Sequence, residues 1–533
     1  MLEEKIARRI IEEMKLLPMD KKAISKLKYR ISSEEGLERV MSDHEIIPYL
    51  RGNEKYLTPL LRGKEVRSAS GIYTVAVMTK PSECPKEEPC LYCPGGVKDG
   101  TPQSYIGNEP ALMRGIQMGF DPYLQVKYRL DQYRIIGHLP SKVQLIIMGG
   151  TFPANDRNYQ EWFVGNCLEA MNEYQGGRVH ASSLLEAQSR NERSKVRCIG
   201  ITMETRPDYA GIEQTDGMLD LGATLVEIGV QCLDDGILRS VKRGHTVEDV
   251  VEATRILRDS GLKVGYHMMP GLPGSCPERD LQDLKKIFED ERFRPDYLKI
   301  YPTLVLRGTG LYELWERGEF KALSDAEAVE LLAKAEQFFP RWVRVARIQR
   351  DNPANIIVDG VRKSNLRELV DGRAASLGIR CNCIRCREIG LAGIRDGGVK
   401  EGKLALEISR ETYNAGGGTE EFLSVEDVER DLLVGFLRLR IPSQQAHRRE
   451  VERAGIIREL HVYGRQLAVG DKATPGYQHR GWGTLLVQKA EEIVNDYGLG
   501  RIAVLPGVGV REYYRRRSYR KLRSSPYMVK KLS

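Results

Sequence analysis

The stretch Val143-Gln-Leu-Ile-Ile-Met148-Gly149-Gly150-Thr151 decides the fold, because an apolar run of strand length stops abruptly at two glycines and a threonine. Six further apolar runs lie between about residues 71 and 370, and most are separated by stretches with helical periodicity, such as 247–259 and 280–288. The six runs are residues 72–78, 199–203, 225–230, 264–269, 298–303 and 343–348. Strands that alternate with helices predict a parallel sheet with crossover helices. We therefore expect an α/β fold with a full or partial TIM-type barrel over residues 71–370.

Several of these predicted strands end in glycine, proline or polar residues. Besides Gly149-Gly150-Thr151, the segments Glu204-Thr-Arg-Pro207 and Pro270-Gly-Leu-Pro-Gly274 follow apolar runs directly. In βα barrels the chemistry lies at the C-terminal ends of the strands. The segments that follow the strands are therefore candidates for an active site.

Three cysteines occupy one short loop, Cys84-Pro-Lys-Glu-Glu-Pro-Cys90-Leu-Tyr-Cys93, with no fourth cysteine beside them. A structural zinc site uses four protein ligands. An iron–sulfur cluster held by three thiolates leaves one iron open, which suits a cluster that binds a substrate or cofactor. From the cysteines alone, a zinc site completed by a distant histidine fits equally well.

The combination of Cys90-Leu-Tyr-Cys93 with Gly149-Gly150-Thr151 resembles the radical S-adenosylmethionine (SAM) enzymes. Their usual pattern is Cys-x3-Cys-x-aromatic-Cys, followed by a Gly-Gly-Glu-type motif at the second strand. The first gap is longer here, which changes the path of the loop. The resemblance implies that Cys84, Cys90 and Cys93 hold a [4Fe-4S] cluster, that SAM chelates the open iron, and that Gly149, Gly150 and Thr151 face its amino group.

A second cysteine group, Cys381-x-Cys383-x2-Cys386, lies in a glycine-containing segment at 371–400. Zinc is the natural occupant of such closely spaced thiolates, and it would pin this linker. The fourth ligand is missing locally. A set of reactive or redox thiols is the alternative.

From about residue 401 the pattern becomes that of a compact α+β domain, with strands predicted at 432–439, 456–462 and 502–505. Helices are predicted at 484–497 and 510–516. The turn Gln478-His-Arg480-Gly481-Trp482-Gly483-Thr484 precedes the first helix. Glycines at a helix N-terminus offer free N–H groups and the positive end of the helix dipole to a pyrophosphate.

This turn resembles the pyrophosphate loop of GNAT-type acetyltransferases, whose ligand is acetyl-coenzyme A (acetyl-CoA). The resemblance implies that Gln478, Arg480, Gly481, Trp482, Gly483 and Thr484 hold the coenzyme. It also implies that Glu459-Leu460-His461-Val462 lies along the pantetheine arm, and that Tyr513 or Tyr514 lies near the thioester sulfur. For at least one tyrosine, ordinary helix packing is the alternative.

A chain of 533 residues with 41% hydrophobic residues is too long for one core and predicts two or three domains. Residues 1–70 are charged, with Ile6, Ile10, Ile11, Met14 and Leu17 at helical spacing. The first residues include acids and no apolar h-region, so a signal peptide is not expected, and no apolar run has the length of a membrane span. The clustered cysteines indicate a reducing compartment. A cytoplasmic protein without a membrane partner is expected.

The charge balance of 82 Lys+Arg against 74 Asp+Glu gives only +8, but two segments concentrate the basic residues. One runs over residues 511–523 with interleaved tyrosines, and the other over residues 21–30. Such segments bind phosphate backbones and stack on unpaired bases. Solvated basic faces are the alternative for each segment.

The barrel and the coenzyme turn occur together with further stretches, among them Ile201-Thr-Met-Glu-Thr-Arg-Pro-Asp and Arg458-Glu-Leu-His-Val-Tyr-Gly. Over nearly its whole length the chain resembles the catalytic subunits of Elongator in their single-chain archaeal or bacterial form. The resemblance implies carboxymethylation of C5 of the wobble uridine, position 34, within the anticodon stem-loop of tRNA. It also implies that Lys142 meets acetyl-CoA from the barrel side. An exposed lysine at a strand start is the alternative.

Two other functions are compatible with parts of the sequence. Protein lysine acetylation would use the C-terminal domain, with Glu459 as a general base. A non-catalytic tRNA-binding scaffold is the other, although a scaffold has no use for an oxygen-sensitive cluster. The sequence does not decide between a stand-alone enzyme and a homodimer.

Overall fold

The computed structural model describes the chain except for residues 1, 17–19, 38, 62–68, 175, 177–180, 351, 396–404, 465–480, 524 and 533, and the side chains of 21, 55, 59 and 393–395. A search of the described helices finds none with the length and hydropathy of a membrane span.

A seven-stranded parallel sheet forms the first half of the fold, with the order β1-β2-β3-β4-β5-β6-β8. Each strand coincides with one of the seven apolar runs, so the predicted strands are confirmed. The two edge strands do not pair with each other among the described residues, so the barrel is partial. The seven strands are β1 (Tyr73–Met78), β2 (Lys142–Met148), β3 (Arg197–Thr205), β4 (Ala223–Gln231), β5 (Lys263–Met268), β6 (Tyr297–Ile300) and β8 (Arg344–Arg347). Two short strands, β7 (Val305–Leu306) and β9 (Ile357–Asp359), form a separate antiparallel pair.

Helices lie before, between and after these strands. The helix at Val247–Asp259 shows why such segments fold as they do: Thr246 and Asp249 form a capping box at its start, and Val250, Ala253 and Leu257 recur on its buried face. The helices up to residue 395 are α1 (Leu2–Leu16), α2 (Lys21–Glu34), α3 (Asp43–Ile46), α4 (Thr58–Leu61), α5 (Pro110–Gln117), α6 (Pro122–Ile135), α7 (Arg157–Glu173), α8 (Leu184–Asn191), α9 (Ile212–Asp220), α10 (Asp235–Ser240), α11 (Val247–Asp259), α12 (Pro277–Glu289), α13 (Gly310–Glu316), α14 (Asp325–Ala335), α15 (Leu366–Ser376), α16 (Ile384–Arg387) and α17 (Ile389–Arg395).

The N-terminal helices α1–α4 share a small hydrophobic core that is separate from the main one. Four members of the predicted apolar stripe, Ile6, Ile10, Ile11 and Met14, are buried in it. Leu17, the fifth member, lies outside the described residues. The N-terminal region is therefore a small helical unit with its own interior.

The C-terminal domain contains a second seven-stranded sheet with the order β10-β11-β12-β13-β14-β16-β15. Only β13 and β14 pair in parallel; the other pairs are antiparallel. Its elements are β10 (Leu406–Ala415), β11 (Gly418–Asp427), β12 (Leu432–Ile441), β13 (Gly455–Val462), α18 (Trp482–Asp496), β14 (Arg501–Val504), α19 (Arg511–Arg515), β15 (Arg520–Lys521) and β16 (Met528–Lys531). The predicted strands and helices of this domain are all present, and β10, β11, β15 and β16 were not predicted.

A buried network of charges joins the lower end of the barrel, where its strands begin, to the second sheet. Asp296, just before β6, accepts two hydrogen bonds of 2.8 Å from Arg458 of β13. Glu420 of β11 accepts from Arg258 of α11 at 2.8 Å and from Arg458 at 2.7 Å. Burial alone would raise the pKa values of Asp296 and Glu420, but the arginines outweigh it and lower both. Because these side chains are fully buried, the network fixes how the two halves meet.

Candidate active site

One cavity of about 1050 Å³ connects the two motif regions that the sequence places more than 350 residues apart. At one end it is lined by Cys84, Cys90 and Cys93, at the C-terminal ends of the barrel strands. It passes along the barrel interior and reaches Leu460 and Tyr514 of the C-terminal domain. The cysteine loop and the strand β13 therefore belong to the same site.

At the end of the cavity that the cysteine loop lines, hydrogen-bond donors contact the sulfurs of Cys90 and Cys93. Cys90 Sγ accepts from Lys86 Nζ at 3.3 Å, and Cys93 Sγ lies 3.2 Å from Gln103 Nε2 and 2.8 Å from Ser104 Oγ. Burial would raise the pKa of the Cys90 thiol, but the charges of Arg243 and Lys86 outweigh it and lower the pKa. These donors stabilise a thiolate, which is the form that ligates iron.

The three sulfurs are not arranged as the ligands of a single metal ion. The ligand atoms of Cys84, Cys90 and Cys93 do not form one of the groups in which all atoms lie within 4.8 Å of one another. A zinc ion binds each thiolate at a Zn–S distance of about 2.3 Å, so the sulfurs of its ligands would all lie within 4.8 Å of one another. One loop that carries three thiols and no fourth cysteine is instead the donor set of an iron–sulfur cluster with one open iron.

Gly149 and Gly150, at the end of β2, both have left-handed φ values, 128° and 94°. A Cβ at Gly149 would lie 2.0 Å from Thr79 Oγ1, so only glycine lets this turn pack against the end of β1. Gly149, Gly150 and Thr151 line the cavity beside the cysteine loop. That these residues face SAM stays a prediction.

The barrel interior between the two ends carries a cluster of charges that the sequence reasoning missed. Lys299 Nζ contacts the carboxylate of Glu227 and lies 3.5 Å from Glu204, and His267 Nε2 lies 3.3 Å from Glu227. Tyr105 OH donates to Glu204 at 3.2 Å. All five line the cavity. The available signal was the polar residues at alternate positions of otherwise apolar strands, which in a barrel point inward.

In the C-terminal domain, the sheet opens where acetyl-CoA was predicted to bind. Strand β13 pairs with β14 only from Gly455 to Ile457, so its second half has no β14 partner. That half contains the predicted segment, and Leu460 and His461 line the cavity. His461 Nε2 lies 2.9 Å from the Ser70 carbonyl oxygen, and burial lowers the pKa of His461. Val462 pairs with Gly435 of β12 instead.

The glycine turn lies next to this opening. Helix α18 begins at Trp482, after Gly481 with a left-handed φ of 88°. A Cβ at Gly483 would meet Tyr513 OH at 2.8 Å and Leu460 at 3.7 Å, so the helix start adjoins β13. Thr484 Oγ1 accepts from Arg517 at 2.5 Å. Gln478 and Arg480 lie outside the described residues.

Glu459 is held in the interface between the domains. Its carboxylate accepts from Tyr297 OH at 2.7 Å and from Arg438 at 2.8 Å. Burial would raise the pKa of Glu459, but Lys263 and Arg438 outweigh it and lower the pKa. A carboxylate held in this way is a poor general base. The geometry therefore disfavours the role that protein lysine acetylation would give it.

The two tyrosines of α19 have different surroundings. Tyr514 is buried and lines the cavity, and burial raises its pKa. Tyr513 packs beneath Arg517, whose guanidinium lies 3.5 Å from its ring centroid. Tyr514 therefore stays the candidate for contact with the acyl group. Tyr513 supports the glycine turn.

Lys142 is the first residue of β2, at the opposite end of that strand from Gly149. It alternates in phase with Gln144, Ile146 and Met148, which line the cavity, so it points toward the barrel interior at its lower end. Burial lowers its pKa to about 8. Lys142 is not itself among the residues that line the cavity, and its role toward acetyl-CoA stays a prediction.

The second cysteine group forms a compact set outside the cavity. The sulfurs of Cys381, Cys383 and Cys386 lie within 4.8 Å of one another, as the ligands of a single ion would. No fourth histidine, cysteine or carboxylate of the described residues joins this group. The spacing of the three thiols is that of ligands to one metal ion.

The two basic segments are only partly exposed. Arg515 pairs with Glu192 at 2.6 Å, whereas Arg516 is 77% exposed. In α2, Lys28 is buried against Asp43, while Lys22 and Lys26 are exposed. Also exposed in the C-terminal segment are Arg520, Lys521 and Arg523. Some basic residues of each segment therefore form ion pairs within the protein, and only the others are exposed to bind a ligand.

Comparison with protein families agrees with the two halves of this site. Residues 82–286 match the Radical SAM superfamily, residues 295–375 match the Radical_SAM C-terminal domain, and residues 403–521 match the Acetyltransferase (GNAT) family. The chain is therefore a radical SAM protein joined to a GNAT domain.

Individual relatives narrow this class. A tRNA uridine(34) acetyltransferase of Methanocaldococcus jannaschii is 47% identical over 538 residues, which cover 99% of this chain and 97% of the relative. Elongator complex protein 3 of Homo sapiens is 43% identical over 514 residues, 95% of this chain and 91% of the relative. A solved structure of the archaeal Methanocaldococcus infernus Elp3 with an N-terminus deletion (1-46) has a TM-score of 0.75 at 45% identity, covering 87% of this chain and 100% of that chain. The chain belongs to the Elongator complex protein 3 family, and the resemblance drawn from its motifs is confirmed.

Proposed function

We propose that this protein is a tRNA-modifying transferase that builds a carboxymethyl group on C5 of uridine 34, with acetyl-CoA as the carbon source. The observation that carries the proposal is the single cavity between the cysteine loop and the GNAT strand β13. A GNAT domain that only transferred acetyl groups to amines would not need to open into a radical SAM barrel. One cavity allows the methyl of an acetyl thioester and a uracil base to meet inside the barrel.

Cys84, Cys90 and Cys93 would hold a [4Fe-4S] cluster, and Gly149, Gly150 and Thr151 would hold SAM beside it. When bound, the cluster and SAM supply a 5′-deoxyadenosyl radical, which is able to abstract hydrogen from an unactivated methyl group. The residues of the chain orient the reactants and keep water away from them. The buried barrel interior with Glu227 and Lys299 provides that enclosed space.

Acetyl-CoA would lie in the opening between β13 and β14, with its pyrophosphate at the start of α18. Backbone groups of 460–462 would follow the pantetheine arm, and Tyr514 would lie near the thioester. Lys142 would meet the coenzyme from the barrel side. Gln478 and Arg480 would complete the pyrophosphate turn, as the sequence predicts.

The tRNA would dock by its anticodon stem-loop. A single-stranded loop lets its base enter a pocket without melting a duplex. Exposed Arg516, Arg520, Lys22 and Lys26 are suited to contact phosphates. Because one chain supplies both halves of the cavity, we propose a stand-alone enzyme. The thiolate sites require a reducing compartment, which supports a cytoplasmic location.

We also propose a division into an N-terminal helical unit (1–70), a radical SAM barrel (71–370), a zinc-pinned linker (371–400) and a GNAT domain (401–533). The close sulfurs of Cys381, Cys383 and Cys386 support zinc in the linker. The separate core of the N-terminal helices supports the first boundary.

The test is a reaction of the anaerobically reconstituted protein with SAM, a reductant, acetyl-CoA and unmodified tRNA, followed by mass analysis of the nucleosides. We expect 5-carboxymethyluridine, and none when any one component is omitted. Cys84→Ala should abolish SAM cleavage, whereas Cys276→Ala, which changes an exposed cysteine outside the cavity, should not. Acetylated protein or peptide with no modified uridine would refute the proposal.

A further inference from the structure

Lys86 lies in the five-residue stretch between the first two cysteines, and its side chain turns back onto Cys90. Its Nζ donates to Cys90 Sγ at 3.3 Å and also contacts the carbonyl oxygen of Lys242. The Arg243 guanidinium approaches the same sulfur at 3.9 Å from the other side of the loop. Two positive charges therefore face one sulfur.

The path of the Lys86 side chain depends on a glycine. Gly244 has a left-handed φ of 76°, and a Cβ at this position would stand 3.0 Å from Lys86 Cδ. The stem of Lys86 thus packs over Gly244 on its way to Cys90. Next to it, Lys242 pairs with Glu88 at 2.5 Å, which joins the cysteine loop to the segment that follows α10. The surroundings of Lys86 are therefore built from two segments that lie more than 150 residues apart in the chain.

Cys93 has a different environment, because the side chains that hydrogen-bond to its sulfur are neutral. Ser104 Oγ lies 2.8 Å and Gln103 Nε2 lies 3.2 Å from Cys93 Sγ. Ser104 has a left-handed φ of 76°, which is uncommon for a residue other than glycine and costs conformational energy that the surrounding structure must offset. The charged donors are thus concentrated on Cys90.

We propose that Lys86 raises the reduction potential of the iron–sulfur cluster held by this loop. The inference rests on the cluster assignment made under the proposed function. A cluster becomes one unit more negative on reduction, and a cation hydrogen-bonded to a ligand sulfur stabilises that form more than the oxidised form. Lys86 is a positioning residue in this role, because it touches a ligand and not a substrate. The cluster is then reducible by a milder electron donor.

The test is an anaerobic redox titration, followed by electron paramagnetic resonance, of the full-length reconstituted protein without acetyl-CoA or tRNA. Lys86→Met should have a more negative midpoint potential than the wild type, and Lys86→Arg should stay close to the wild type. The matched control is Lys98→Met, which removes the same charge from an exposed lysine of the same loop region. It should leave the potential unchanged.

Gly244→Ala supplies a second variant: it keeps the ammonium, but its Cβ presses on the Lys86 stem and its left-handed φ strains the backbone next to Arg243. Its potential should also become more negative. An unchanged potential in Lys86→Met, or an equal shift in Lys98→Met, would overturn the inference. If Lys86→Met does not retain iron, a wild-type potential in Gly244→Ala overturns it instead. A wild-type protein without any reducible cluster would overturn the proposed function as well, so the two failures are distinguishable.

Discussion

Gly507 offers a direct test of whether activity depends on how the two halves of the site meet. It follows β14 and packs against β3 of the barrel, where a Cβ would lie 1.9 Å from the Ile199 carbonyl oxygen and 2.3 Å from its carbon. Its φ of −57° and ψ of 147° suit alanine, so Gly507→Ala strains no backbone dihedral and acts through this contact at the edge of the cavity. Reaching the 3.0 Å that real Cβ atoms keep requires a shift of 3.0 − 1.9 = 1.1 Å.

The neighbouring atoms are backbone, so this shift must come from a separation of the C-terminal domain from the barrel. Overpacking of this kind destabilises by about 1–3 kcal/mol. A misplacement of about 1 Å between reacting groups lowers the rate by roughly 100-fold. We therefore expect Gly507→Ala to lose about 100-fold of carboxymethyluridine formation. SAM cleavage without acetyl-CoA, and acetyl-CoA binding, should each survive, because neither needs the alignment.

The assay measures the modified nucleoside by mass spectrometry, acetyl-CoA affinity by calorimetry and stability by thermal unfolding. Gly500→Ala is the matched control, because no atom lies within 4 Å of a Cβ at that position in the same domain. It should behave as the wild type. Wild-type product formation by Gly507→Ala would refute the reasoning that the domain contact aligns the site.

Three other predictions follow from the site. Metal analysis should find about one zinc per chain beyond the iron, and Cys383→Ser should lose it together with stability, because structural zinc binding is coupled to folding; equal zinc in wild type and Cys383→Ser would contradict this. Burial lowers the pKa of Lys142 to about 8, so the unfolded chain binds more protons than the native one between pH 8 and the ordinary lysine value of 10.5. At pH 7 the folded chain keeps Lys142 charged although burial disfavours the charge, so Lys142→Met should raise the free energy of unfolding. This gain should shrink as the pH rises through that window and the wild-type lysine loses its charge; a pH-independent gain would contradict the prediction. Neutralising the exposed Arg516, Arg520 and Arg523 together with Gln should weaken tRNA binding and flatten its salt dependence by up to about three units of slope, without changing acetyl-CoA affinity. Neutralising the exposed Arg362 and Lys363 should not.

The first sheet was predictable because strands of a parallel sheet are buried on both faces and appear as continuous apolar runs. In the second sheet β11 escaped prediction for a physical reason. Its Glu420, Glu421 and Glu426 are buried, and each pairs with an arginine. Those arginines lie elsewhere in the chain, so β11 has the composition of a solvated loop. Local sequence carries no information on distant partners of this kind.

In the candidate site, too, local sequence patterns were predictable and contacts between distant segments were not. The cysteines, the glycines and the coenzyme turn were found because their spacing within a short segment is itself the signal. Glu204, Glu227 and Lys299 come from three strands and form a cluster only when the barrel brings them together. The pairing of Glu459 with Tyr297 joins the two domains, so it also depends on how they dock. Contacts of this kind require the structure.

The most direct measurement of the central claim uses acetyl-CoA that carries three deuterium atoms on its methyl group. The protein would be incubated anaerobically with SAM, a reductant, this acetyl-CoA and unmodified tRNA, and the 5′-deoxyadenosine would be isolated. If the acetyl methyl is the site of hydrogen abstraction, the 5′-deoxyadenosine should contain one deuterium, and its formation should accompany carboxymethylation of uridine 34. Carboxymethyluridine formed with 5′-deoxyadenosine that contains no deuterium would contradict the account.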